Sequence, residues 1–152
     1  LFEAVFAGKA KRFVGEFIEI SNEPIPFEEK IRRKISSHFD MLLENPQLPF
    51  LIINELITNP ERLNDLKADV ASNFSAVYAQ FEAELAEEIR KGSIRPMTTF
   101  DFVVTMLSLN IMPFLGIPIM KVALNLDDAG VRQILLKRKD ENVEIVLRNL
   151  RP

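Results

Sequence analysis

Few residues in this chain have side chains suited to catalysis. His38 is the only histidine, and cysteine and tryptophan are absent. A zinc–thiolate site, a disulfide framework and a redox motif are therefore excluded. No His-Glu-x-x-His pair occurs, and no glutamate lies three residues before His38, so the usual ligands of a helix-bundle di-iron centre are missing. There is no glycine-rich phosphate loop. A Ser–His–acid triad would have to be built on His38 alone. The carboxylates of FEAELAEE (81–88), namely Glu82, Glu84, Glu87 and Glu88, fall mostly on the solvated face of an amphipathic helix. The chain reads as a non-enzyme with no cofactor and no metal.

Binding is the better-supplied chemistry. His38 lies on an apolar stripe between Ile35 and Leu42. There it is either a buried imidazole hydrogen-bonded to a carbonyl or carboxylate, or a polar group that orients a mostly apolar ligand. Tyr78, next to Val77 and one turn after Phe74, has a packed ring whose hydroxyl needs a partner. Asn110 is a lone amide in an uncharged segment and must be satisfied if buried. Met106, Met112 and Met120 join twelve phenylalanines. They serve either as plain core or as the adaptable wall of a cavity.

Helices must position these groups. Of 152 residues, 47% are apolar and 27% charged, with only five glycines, which points to one helical domain with a sizeable core. A net charge of −3 lacks the overall basic footprint of a nucleic-acid binder. Residues 1–20 carry Phe2, Val5, Phe6, Phe13, Phe17 and Ile20 at near-helical spacing, with Lys9, Lys11 and Arg12 opposite. After the break SNEPIP, the stripe Phe27, Ile31, Ile35, His38, Leu42 predicts a second helix, with Glu28 and Glu29 in its first turn. NPQLPFLIINEL predicts a short helix over 46–58, with Asn45 as N-cap and Glu55 paired to an arginine or solvated. Asn59 and Pro60 repeat the device before a long helix marked by Leu63, Leu66, Val70, Phe74, Val77, Phe81, Leu85 and Ile89, which Gly92 ends.

Thr98 and Asp101 form a capping box for a fifth helix. Residues 102–120 carry no charge, but Pro113, Gly116 and Pro118 leave only about three helical turns, too short for a membrane span. The segment reads as a helix buried on several sides. Asp127 or Asp128 caps a last helix whose Leu136, Val143 and Leu150 repeat at seven, with Leu147 beside them. The expectation is an all-α bundle of about six helices.

LFEAVF (1–6) resembles the start of the fourth helix of TetR-type transcriptional regulators, which follows a three-helix DNA-binding head. FEEKIRRKISSHFDMLLENPQLPFLIINELITNPERL (27–63) is similar to that family's fifth and sixth helices and the start of its seventh. The last two helices, separated by MPFLGIPIM (112–120), match its dimerising pair. The resemblance implies that residues 1–152 are an effector-binding and dimerisation domain, with the helix-turn-helix head preceding Leu1. DNA would be met only through that head, in a cytoplasmic homodimer with no membrane role. A small apolar effector would contact His38, Phe39, Phe50, Ile53, Asn54, Phe74, Tyr78, Phe81, Phe102 and Met106. A dimeric four-helix bundle would use Leu107, Asn110, Ile111, Phe114, Leu135, Leu136, Val143, Leu147 and Leu150. The competing reading is a stand-alone helical carrier of apolar small molecules.

Overall fold

The computed structural model describes residues 2–152; the side chains of residues 2, 3, 63, 65, 66, 69 and 70 lie outside the described set. Seven helices follow one another: α1 (Phe2–Asn22), α2 (Phe27–Glu44), α3 (Leu48–Thr58), α4 (Arg62–Arg90), α5 (Thr99–Leu115), α6 (Ile117–Ala123) and α7 (Asp128–Leu150). No strand occurs among the described residues, so the all-α reading holds.

Several ends form as the sequence predicts. The Thr98 hydroxyl accepts the Asp101 N–H at 3.0 Å, and Asp127 accepts the Gly130 N–H at 2.8 Å. Gly92 adopts φ 73° after α4, a left-handed turn that favours glycine. Other ends differ. Asn45 and Asn59 close α2 and α3 rather than opening the next helices. The Asn45 side chain turns back to donate to the Met41 carbonyl at 3.0 Å, which leaves Gln47 at the start of α3. The proline-rich segment also holds a helix the sequence reading omits. Pro118 sits in the first turn of α6, where a missing N–H costs nothing, so seven residues coil after Gly116.

α2 is the central element, packed against α1, α5 and α7. Its buried face is a broad stripe of Ile31, Lys34, Ile35, His38, Phe39 and Leu42. α5 buries Phe102, Met106, Asn110 and Phe114, four residues apart, and α7 completes the block. The core falls into two apolar clusters. One gathers Phe17, Ile31, Ile35, Phe81, Leu85, Phe102, Met106, Val143 and Val146, among others. The second holds Phe39, Leu42, Phe114, Val131 and Leu135.

A polar layer separates them. The Asn110 amide, fully buried, donates to the Ile35 carbonyl at 3.0 Å and meets His38 Nδ1 at 3.1 Å. Its oxygen accepts from Asn142 Nδ2 at 3.0 Å, and Asn142 Nδ2 also donates to the Leu109 carbonyl at 2.8 Å. That last bond answers a specific deficit. Pro113 lies inside α5 and has no N–H for the carbonyl four residues earlier, which is that of Leu109. Asn142 supplies the missing donor from α7.

Replacing Asn110 with leucine keeps the branched heavy-atom outline but strips partners from His38, Ile35 and Asn142. The expected loss is about 3 kcal/mol of unfolding free energy, read as a lower urea midpoint at unchanged slope.

Candidate functional site

Beside this block, α1 and α4 pack together, and α3 crosses the gap between them and the end of α2. The residues that α1 turns toward this gap include Ala7 and Ala10, which are too small to fill it. A cleft of about 560 Å³ results. Phe6, Ala7, Lys9, Ala10, Lys11, Phe13 and Val14 of α1 form one wall. Met41, Leu48 and Ile52 form the second, and Ser72, Asn73 and Phe74 of α4 the third. The volume is that of an ordinary small-molecule site, and the lining is mainly apolar with a few polar groups.

Phe13, Val14 and Phe74 also border a narrower annex of about 40 Å³ that runs inward. Its other walls are Phe17, Lys34, Val77, Tyr78, Phe81, Val103, Met106 and Leu107. Lys34 is 2% exposed, an unusual position for an ammonium. Its Nζ lies 4.8 Å from the Phe81 ring centre and 5.9 Å from that of Phe17, a cation–π arrangement. Glu84 Oε2 is 3.5 Å away. The contact is an ion pair rather than a hydrogen bond, since Glu84 Oε2 has no hydrogen-bond partner among the described residues. Burial pulls the Lys34 ammonium below its ordinary range, and the Glu84 carboxylate opposes this.

The structure sorts the predicted contacts. Phe74, Tyr78, Phe81 and Met106 line the cleft or its annex. Phe39 and Phe102 are core residues, 0% and 2% exposed, and cannot touch a ligand there. Phe50, Ile53 and Asn54 face outward, because α3 turns Leu48 and Ile52 to the cleft instead. The α1 wall, including its two lysines, was not anticipated. Its signal was the interleaving of Ala7 and Ala10 with Phe6 and Phe13. Leu63, Leu66 and Val70 of the α4 stripe lie outside the described side chains.

His38 supports the wall from behind. Its ring centre is 5.1 Å from that of Phe13. Because Asn110 Nδ2 donates to Nδ1, the imidazole is neutral with its proton on Nε2. Its partner is an amide, not the carbonyl or carboxylate anticipated. Glu55 does pair with an arginine, Arg62, at 2.7 Å.

The proposed interface list also needs correction. Asn110, Phe114, Leu135, Val143, Leu147 and Leu150 are buried inside a single chain, so they serve its own core. Leu107 and Ile111 are half-buried, and Leu136 is exposed. The outward apolar residues of this region are others: Phe100, Val104 and Met112 on α5, with Ile119 and Val122 on α6. Among the described residues no single helix is long and apolar enough to cross a membrane, and α5 and α6 meet at a 50° bend.

Burial lowers the His38 pKa from 6.5 to about 4. The unfolded imidazole takes its proton near 6.5, the folded one only near 4, so between these values the unfolded chain binds more protons. The His38 contribution is complete above pH 6.5 and is lost as pH falls toward 4, on the order of 3 kcal/mol in all. Paired denaturation curves of wild type and His38→Gln, which keeps an acceptor for Asn110, should converge in stability across that window.

Compared with protein-family models, curated proteins and solved structures, the chain has no match.

Proposed function

We propose that this chain is the effector-binding and dimerisation domain of a TetR-type transcriptional regulator. The observation that carries the reading is the position of the cleft against α1. That helix supplies the longest wall, and it is the helix that the resemblance joins to a DNA-binding head. Among the described side chains of α1 only Phe17 and Ile20 are buried, toward its C-terminal end, while Phe6 to Val14 border the cleft. A molecule wedged between α1 and α4 would tilt α1 about that anchored end. Half-site spacing on DNA is geometric, so a small tilt changes which head separation is favoured. The ligand acts by binding one arrangement better than the other, and lowers DNA affinity where it prefers the incompatible one.

The outward apolar residues support the dimer half of the reading. Phe100, Val104 and Met112 recur on one side of α5, and Ile119 and Val122 of the following α6 are exposed as well. A second copy laid on this surface would remove it from water and form a four-helix bundle across the dyad. The cleft alone would also serve a stand-alone carrier of apolar molecules; a basic helix-turn-helix encoded upstream of Leu1 separates the two readings.

In solution the expected species is a dimer by light scattering. Met112→Glu combined with Val122→Glu should give a monomer of unchanged helicity, since both side chains point outward. A wild-type chain that stays monomeric at high micromolar concentration would remove the dimer from the proposal.

A further inference from the structure

The charge around the cleft narrows the class of ligand, on the reading that the cleft is the effector site. Among the described lining residues the ionisable side chains of acidic or basic type are all lysines: Lys9 and Lys11 on the α1 wall of the cleft, Lys34 at the annex. Their states differ. Lys34 is neutralised by Glu84 and covered by two phenyl rings. Lys9 donates to a neutral acceptor, the Asn45 amide oxygen, at 2.6 Å. Lys11 is exposed, and neither it nor Lys9 has a carboxylate within ion-pair distance among the described residues. By contrast their neighbour Arg12 is paired with both Glu16 and Glu44. Among the described residues, positive charge without a carboxylate partner thus borders an apolar cleft in a chain of net charge −3. From Lys9 to Phe17 the α1 wall runs about 12 Å.

We propose that the cleft takes an elongated apolar anion of fatty-carboxylate type. Its head lies against the α1 wall within reach of Lys9 on one flank or Lys11 on the other, where charge-assisted hydrogen bonds form to ammonium groups that keep part of their hydration. Its tail passes Phe13 and Phe74 into the annex. The phenyl rings already shield the Lys34–Glu84 pair there, so the tail meets aromatic surface.

The test uses a built-in reporter. Tyr78 is the only tyrosine, tryptophan is absent, and Tyr78 lines the annex. Its fluorescence, with calorimetry, follows titration by decanoate, decanol and decyltrimethylammonium below their micellar concentrations. Decanoate should bind at least tenfold more tightly than either of the others and perturb Tyr78. Lys9→Gln with Lys11→Gln should erase that preference while leaving decanol affinity unchanged. Equal binding of all three probes would overturn the anion preference and leave an apolar effector site standing. Tight decanoate binding that ignores both the lysine variants and Tyr78 would overturn the placement. Saturable binding of none would overturn the effector site as well.

Discussion

One buried carboxamide holds the structure in register. From its place in α5, Asn110 uses both amide hydrogens and its oxygen on two other helices: Ile35 and His38 of α2, and Asn142 of α7. Apolar contacts alone tolerate sliding, because leucine against valine is nearly as good one turn away. The amide does not. A shift of any of the three helices would leave donors and acceptors buried without partners, at about 1–3 kcal/mol for each orphaned group. The two apolar clusters can therefore pack on either side of a fixed layer, and Pro113 can interrupt α5 because Asn142 is already there to take the Leu109 carbonyl.

The same layer explains the chemical quietness of the only histidine. A proton on His38 Nδ1 would point at the N–H of Asn110, and burial opposes the charge as well. The imidazole is thus held neutral as an acceptor, a structural use of a residue type often associated with catalysis. Lys34 shows a related economy. Its stem crosses the core, and its ammonium ends between aromatic faces and one carboxylate. Such a pair adds little net stability once desolvation is counted. Its consequence is local: it gives the inner annex a cation already compensated, unlike those on the α1 wall of the cleft.

Much of the fold was legible because it depends on local periodicity and capping. The α2 stripe, the Thr98 and Asp127 caps and the left-handed Gly92 all follow from residue type within one or two turns. What was not legible depends on residues far apart in sequence. Asn142 lies 33 residues from the carbonyl it satisfies, and nothing local marks it as the answer to Pro113. α3 is apolar nearly all round, so its sequence cannot say which face turns inward; the structure chose Leu48 and Ile52 over Phe50, Ile53 and Asn54. On the strongly amphipathic C-terminal half of α4, the faces of Tyr78 and Phe81 were readable. Asn45 shows a third kind of limit. Asn-Pro suits a helix start, yet the same amide reaches back equally well, and contact with Lys9 of α1 favours that orientation.

The molecule is consequently held together unequally. α2, α5 and α7 are joined by buried hydrogen bonds and two packed clusters. The first turns of α1 are tied to α2 by Lys9–Asn45 and Arg12–Glu44, contacts at or near the surface. Exposed ion pairs contribute about 0–1 kcal/mol each, less than the several buried hydrogen bonds around Asn110 together. The cleft lies along this weaker seam, with the fixed block behind it. If a ligand binds there as proposed, its binding energy would act on α1, whereas the same energy applied to α5 or α7 would have to break the polar layer. On the proposed reading, the α1 wall rather than the core around His38 is where a ligand would act, since functional regions are drawn from the less constrained parts of a fold.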